Sequence, residues 1–258
     1  MHLIFVRHGD PDYKNDTLTI KGEKEAQLLA QRVEKWNVTD FYVSPLGRAQ
    51  RTAQVAMKNM HRTAETLPWL REFNYTITDP ATGKSRIAWD WLPKDFFCEE
   101  RYFNKDEWMT VPAMKSGDIE THNKDVCDGI DALLEKYDYR RQSSKNPIYL
   151  CSPHITQEQS KLDTHLNPIQ TALDDRTIVL FCHLGVMFVI IAHLTGISPV
   201  QLWQGFFVAP TSVTIMGAEE RIPGEVIFRV QTMGDCAHLL NGGEQTSASG
   251  FFGSCLSY

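Results

Sequence analysis

The 258-residue sequence predicts an α/β fold with a mostly parallel central sheet flanked by helices on both faces, in three layers. Three observations carry that expectation. Leu3-Ile4-Phe5-Val6 is a short continuous apolar run, the pattern of a strand buried on both faces inside a parallel sheet. Thr177-Ile178-Val179-Leu180-Phe181-Cys182 repeats the pattern near the other end of the chain. Between the first run and Phe41-Tyr42-Val43 lies one amphipathic segment, giving a β-α-β order with the right-handed crossover such units adopt.

The first strand stops at Arg7-His8-Gly9. Open α/β sheets place their ligand crevice at the carboxyl ends of the strands, and Gly9 would let backbone amides approach a ligand there. Arg7 offers a planar fork of donors matched to phosphate or carboxylate oxygens, and the neutral imidazole of His8 can attack phosphorus. The tripeptide alone is a short motif, and a solvated strand end would carry it too.

The loop from Asp10 to Asp16 leads to Thr19, which has the chemistry of a helix N-cap. Ala26, Leu29, Ala30 and Val33 follow at helical spacing, with Gly22 in the first turn. The second strand closes at Ser44-Pro45. The second helix opens there, its buried stripe formed by Ala49, Ala53, Ala56, Met57 and Met60. Arg48 sits near that helix start, close to Arg7 and His8 if the first two strands are neighbours, and helix starts favour anions. Arg51, one turn along, reads as solvated. Glu65-Thr66-Leu67 is a short third strand, followed by Pro68-Trp69-Leu70-Arg71-Glu72.

Residues 74–78 and 86–91 read as a hairpin around Asp79 to Lys84. The aromatics Phe73, Tyr75, Trp89, Trp91, Phe96, Phe97, Tyr102, Phe103 and Trp108 suggest a satellite hydrophobic cluster, with a few rings at a pocket entrance. A helix is expected over 118–139, a surface loop over 140–146 and a brief strand over 148–151. The late strand ends in His183-Leu184-Gly185, placing a second histidine where the first one sits. A helix over 186–194 closes at Gly196, a short helix carries Pro199, Leu202 and Trp203, and strands follow over 211–216 and 226–230. The last segment, 241–258, has the Gly and Ser content of a poorly ordered tail.

With 42% hydrophobic and 22% charged residues, the composition is that of an ordinary globular chain. A net charge of −6 and a pI near 5.8 argue against a nucleic-acid surface. The longest apolar run, Val186 to Ala192, is far short of the ~20 residues of a membrane span. Met1 and His2 lead straight into the strand without a signal-like segment, so a cytoplasmic protein is expected. Cys98, Cys127, Cys151, Cys182, Cys236 and Cys255 are scattered without a C-x-x-C pair, which indicates neither a disulfide framework nor a cysteine zinc site.

Arg7-His8-Gly9, Leu18-Thr19 with Gly22 and Ala26, Ser44, Arg48-Ala49 and Thr52-Ala53 together resemble the histidine phosphatase superfamily, which includes phosphoglycerate mutase-like enzymes. Gly234-Asp235-Cys236-Ala237-His238-Leu239 is similar to the family's common ending. The resemblance covers residues 1–72 and 177–239. It implies one domain over 1–240 with a large insertion after the third strand, at about 73–175, that covers the pocket and sets substrate preference. It makes His8 the nucleophile, Arg7 and Arg48 the phosphate-holding pair, Glu72 the general acid and His183 the group that stabilises the transferring oxygens. Leu184 departs from the pattern, because the family usually has glycine directly after its second histidine.

The expected activity is metal-independent and cofactor-free hydrolysis of a small phosphate monoester through a phosphohistidine on His8, with no nucleic-acid or membrane partner. Mutase-type transfer is the nearest alternative; Asp10 and Asp12, as carboxylates at the rim, would repel the second anionic group it needs. A phosphate-binding module without turnover is another. A zinc hydrolase built on His8 and His183 lacks a third ligand at recognisable spacing.

Overall fold

The computed structural model describes residues 1–90, 93–156 and 174–256; Trp91, read above as the end of the hairpin, and the last two residues of the tail lie outside them. In chain order the strands are β1 (His2–Arg7), β2 (Pro11–Asp12), β3 (Thr17–Leu18), β4 (Asp40–Val43), β5 (Glu65–Thr66), β6 (Thr76–Thr78), β7 (Ser85–Ile87), β8 (Arg140–Arg141), β9 (Tyr149–Leu150), β10 (Thr177–Cys182), β11 (Val213–Ile222) and β12 (Glu225–Asp235). The α-helices are α1 (Ile20–Val33), α2 (Gly47–Ala56), α3 (Pro93–Phe97), α4 (Pro112–Lys115), α5 (Ile119–Glu135), α6 (Leu184–Thr195), α7 (Pro199–Gly205) and α8 (Ala237–Asn241).

Eight strands form one sheet in the order β5-β4-β10-β1-β11-β12-β9-β8. The first four are mutually parallel, and the rest are added by antiparallel pairing. Only β11 and β9 run against the others, so the sheet is α/β and mostly parallel in strand direction. β1 and β4 are not neighbours, as the β-α-β order alone suggested. β10 lies between them, with Arg7 opposite Cys182 and Phe181 opposite Val43. A strand arriving 134 positions later (177 − 43) has thus entered the gap that the first crossover left, and its carboxyl end separates those of β1 and β4.

Alternation along the strands divides the apolar residues between the two faces. Ile4, Val6, Phe41, Val43, Val179 and Phe181 pack with Leu29 and Val33 of α1 and Ala49, Ala53 and Ala56 of α2. Leu3, Phe5, Ile178 and Leu180 face α5 and α6 on the other side. α6 is buried on nearly every side, as its apolar sequence requires. Phe73, Phe96, Tyr102 and Trp108 belong to this same cluster, so the aromatics of the middle region join the main core instead of forming a satellite. Fully burying one such ring is worth about 1.5–3 kcal/mol, which ties the region firmly to the sheet.

Several elements depart from the sequence expectations. α5 stops at Glu135, and Arg140–Arg141 is an edge strand instead of loop, because antiparallel pairing to β9 supplies its backbone partners. β11 and β12 extend well past the apolar positions that mark them; pairing continues through Glu219 and Glu220 to Ile222 opposite Glu225. The segment after residue 241 is packed, as described below. No helix among the described residues is long and apolar enough to cross a membrane.

Candidate active site

The site forms where β1, β10 and β4 end side by side. The His8 amide donates to Cys182 O (3.0 Å) and the Ser44 amide to Phe181 O (2.9 Å), so the three chains leave the sheet in step. Arg7, His8, Arg48, Glu72 and His183, all predicted from sequence, are buried here. The two imidazoles lie with ring centroids 5.0 Å apart.

His8 is 1% exposed, and its Nδ1 lies 2.8 Å from its neighbour's carbonyl, Gly9 O. A carbonyl only accepts, which places the proton on Nδ1 and leaves a lone pair on Nε2. His183 has the opposite arrangement. Its Nε2 lies 2.6 Å from Ser44 Oγ, which already accepts the Leu46 amide, so the hydroxyl hydrogen is available to donate to Nε2. That leaves Nδ1 as an N–H, and it has no partner among the described residues. Burial holds both imidazoles well below the ordinary histidine value; Arg7 and Arg48 add to this at His8, and His8 followed by the arginines at His183.

Leu184 occupies the first turn of α6, with His183 as N-cap in extended conformation. Its backbone is not left-handed and its side chain is buried in the core, so the position requires no glycine. The α6 start also holds Glu72, whose Oε1 accepts the amides of Phe73 (2.8 Å) and Val186 (3.2 Å). Burial raises the Glu72 pKa from the ordinary carboxylate value against the pull of these amides and of Arg48 and Arg7. Gly185 is required at this point: a Cβ on it would lie 2.6 Å from Trp89 Nε1 and 2.7 Å from Glu72 Oε1.

Arg7 donates through Nη1 to Val208 O (2.7 Å) and through Nη2 to Ser249 O (2.8 Å). Arg48 pairs through Nη1 with Asp16 Oδ1 (2.7 Å), and its guanidinium lies 5.4 Å from the Tyr13 ring centroid. The Nε atoms of both arginines are buried without a partner among the described residues, as is Trp89 Nε1. Arg51 is half-exposed and pairs with Glu23, in line with the solvated role read for it.

Sequence reasoning missed the groups that fix these side chains. Gly9 gives its amide to Thr52 Oγ1 (2.9 Å), which in turn donates to Arg48 O (2.7 Å). The amide is therefore not aimed at a ligand; a Cβ on Gly9 would instead lie 2.9 Å from Gly22 O, so its smallness admits the first turn of α1. Glu25 is fully buried and accepts the Asp10 amide (2.8 Å); burial pushes its pKa up to about 7. Asp10 is bound by the hydroxyls of Thr19 and Ser247, and the carboxylate facing the arginines is Asp16. Thr211, left-handed at φ 56°, gives its amide to Arg7 O (3.0 Å), and His238 Nε2 lies 3.2 Å from its hydroxyl. Gly9, Thr19, Thr52 and His238 stand in the motifs quoted above, but nothing in those motifs names the partners they bind; Glu25, Asp16, Thr211 and Ser247 sit in no local pattern that marks them.

The C-terminal segment covers the site. Glu244 pairs with Lys21 and Lys24, Ser247 binds Asp10, and the Phe251 ring lies 4.9 Å from that of Phe207. A Cβ on Gly250, itself at φ 86°, would lie 3.1 Å from Arg7 Nη2.

Residues 3–97, which include Arg7, His8, Arg48 and Glu72, match the family model of the histidine phosphatase superfamily, branch 1. Over these 95 positions (97 − 3 + 1) of 258, the chain is similar to the histidine phosphatase superfamily. Probable phosphoglycerate mutases GpmB of Serratia proteamaculans and Yersinia enterocolitica are each 32% identical to it over 88 residues, 31% of this chain and 41% of theirs. The chain thus spans about two fifths of the length of the curated relatives it matches. Among solved structures, a phosphoserine phosphatase mutant from Entamoeba histolytica superposes with a TM-score of 0.55 at 16% identity, covering 92% of this chain and 98% of that one. The alpha-ribazole phosphatase of Shigella flexneri gives 0.54 at 18%, covering 92% and 97%. At these identities the likeness is one of fold, and it covers far more of the chain than the residues the family model matches.

Proposed function

We propose that this chain is a histidine phosphatase superfamily member that hydrolyses a small phosphate monoester in two steps without a metal or cofactor. One observation carries the reading. Beside His8 stand His183, Arg7 and Arg48, whose buried donors His183 Nδ1, Arg7 Nε and Arg48 Nε lack partners among the described residues, as does Trp89 Nε1 near Glu72. Buried polar groups without partners are uncommon and call for an explanation. A phosphoryl group with three acceptor oxygens supplies what these donors lack.

In the first step His8 Nε2 attacks phosphorus, the P–O bond to the leaving group breaks, and Glu72 gives its proton to the departing oxygen. In the second, water attacks the phosphohistidine, Glu72 takes a proton from it, and the P–N bond breaks to release phosphate and restore His8. Arg7, Arg48 and His183 bear the charge of the equatorial oxygens in both steps. Burial supports the starting states: it favours neutral His8 and protonated Glu72. Because His8 is 1% exposed beneath the C-terminal segment, the reading includes an opening motion of residues 247–251.

Hydrolysis is favoured over mutase-type transfer by the charges near the nucleophile. The cations acting on His8 are Arg7 and Arg48, and Asp16 already offsets Arg48. A retained phosphoenzyme that also held a second anionic group would need more cations. Six unpaired cysteines among the described residues support a cytoplasmic location.

The test is hydrolysis of an aryl phosphate with chelator present, together with trapping of labelled enzyme in an alkaline denaturing quench. Chelator-resistant turnover and a base-stable, acid-labile label on His8 are expected. A folded wild type that binds vanadate but neither turns over nor labels would make the site a binding module; loss of turnover with chelator would return it to metal chemistry.

A further inference from the structure

At the opposite end of the sheet from the histidines, the β11–β12 hairpin meets the segment that follows β9. Cys151 and His154, spaced Cys-x-x-His, approach Glu220 there, 66 positions later in the chain. The three donor atoms all lie within 4.8 Å of one another. Cys151 Sγ is 3.8 Å from His154 Nδ1, and Nδ1 is 3.0 Å from Glu220 Oε2. We propose that Cys151, His154 and Glu220 form a zinc-binding site that clamps the β11–β12 hairpin to the chain after β9.

The spacing argues for this ion. Zinc binds thiolate at about 2.3 Å and imidazole or carboxylate at about 2.0–2.2 Å in tetrahedral array, which sets its ligand atoms roughly 3.4–3.6 Å apart. The Sγ–Nδ1 and Nδ1–Oε2 separations lie within a few tenths of an ångström of that range, and the sulfur and carboxylate, within 4.8 Å of each other, close on the ion by about 1 Å or less. A sulfur, nitrogen and oxygen set suits zinc over calcium or magnesium, which take oxygen ligands. His154 is partly open to solvent, leaving the fourth position to water.

The donors are also held in place. Glu220 accepts the His154 amide through both oxygens (3.2 and 3.1 Å) and the Gly224 amide through Oε1 (2.8 Å). Cys151 is fixed by the hydrogen bond that its amide donates to Gly224 O (3.0 Å). The Ser152 amide donates to Asp138 Oδ2 (2.8 Å), and the His154 ring stacks at 18° to Tyr139 with centroids 6.4 Å apart. Without a metal, Nδ1–H donates to Glu220, and burial together with the Glu220 charge holds the Cys151 thiol protonated, pushed up to about 12. On binding, the thiol proton leaves to solvent, the imidazole carries its hydrogen on Nε2, and the cation replaces both interactions. The site is remote from His8 and Glu72, so its role is to fasten the sheet edge.

The experiment is titration of chelator-stripped full-length protein with cobalt(II), then displacement by zinc. A 1:1 endpoint with a thiolate-to-cobalt charge-transfer band is expected, with a rise in Tm on zinc addition. Cys151→Ser should lose the charge-transfer band, and Glu220→Gln should weaken zinc binding by ~10–100-fold, both with near-native circular dichroism. Absence of a 1:1 endpoint in the wild type, or an unchanged band in Cys151→Ser, overturns the proposal, the latter because another cysteine then holds the ion. Aryl phosphate turnover is measured in parallel: its loss in Cys151→Ser would contradict a remote clamp, whereas its loss only in His8→Ala concerns the catalytic reading alone.

Discussion

β1 and β10 end alike in sequence and differently in chemistry. Each is a strand with its apolar residues buried, each delivers a histidine at its carboxyl end, and the pair is in register. His8 is bound at Nδ1 by a carbonyl one residue away, which exposes a lone pair on Nε2. His183 is bound at Nε2 by a hydroxyl from a third strand end, which exposes an N–H on Nδ1. One histidine is prepared to attack and the other to donate. The difference lies in what holds the far ring nitrogen, a detail that the residue type and its place on a strand do not carry.

The largest effect breaks the comparison outright. His8→Ala should lower kcat by at least ~10⁴ and abolish the trapped phosphoenzyme, since it removes the attacking nitrogen. His183→Ala should lower kcat by about 10²–10³, the range for losing one donor to a transition-state oxygen, while labelling of His8 persists. Equal losses of label in both would mean that the two histidines act as one unit and that the division of roles is wrong.

Glu72→Gln comes next, at ~10²–10⁴ in kcat for the loss of a positioned acid. Its pH profile is the sharper readout. The first step needs His8 neutral and Glu72 protonated. His8 is held low, so its protonation limits activity only below the ordinary histidine range; Glu72 is raised, so its acid form is lost only above the ordinary carboxylate range. The wild-type kcat/KM profile should therefore fall on the alkaline side as Glu72 ionises, and Glu72→Gln should flatten that limb. A limb unchanged in the variant would assign the ionisation elsewhere.

These residues were legible because each stands at a boundary the chain announces. Apolar runs end at His8 and His183, Arg48 opens a helix, and Glu72 follows a short strand. What the groups that decide their states would bind was not legible, even where, as with Ser44 and Thr52, the residues themselves stand in a motif. Ser44 reaches His183 across 139 positions, Asp16 turns back to Arg48, and Thr52 joins the Gly9 amide to the α2 backbone. Strand order was hidden for the same reason, since pairing depends on register between distant segments: the helical connection after β1 was visible, but not the later insertion of β10. The 241–258 segment misled most. Its glycines and small polar residues resemble a loose tail, yet its hold on the site comes through a backbone carbonyl and hydroxyls that composition does not reveal.

Ser44→Ala sharpens the contrast without deleting either ring. It removes the hydroxyl 2.6 Å from His183 Nε2 and frees the imidazole to exchange tautomers, so kcat should fall by about 3–10-fold, in line with a neutral hydrogen bond of ~1 kcal/mol. Ser44→Thr should restore most of the loss. A loss as large as that of His183→Ala would mean that the hydroxyl itself touches the reacting group.

The smallest expected effect concerns access, and its sign is the informative part. Phe251 packs on Phe207, and two residues earlier Ser249 O occupies Arg7 Nη2. Phe251→Ala weakens the anchor without touching either arginine or histidine. If the closed arrangement must open before substrate enters, the apparent affinity is reduced by the fraction of molecules that are open, and raising that fraction raises kcat/KM. An increase of ~3–5-fold for an aryl phosphate is expected, mainly through a lower KM, with the same direction and a larger size on deleting residues 247–258. A decrease in both variants would reverse the role: Ser249 O would then be holding Arg7 in its working orientation, and the segment would be a wall of the active site instead of its cover.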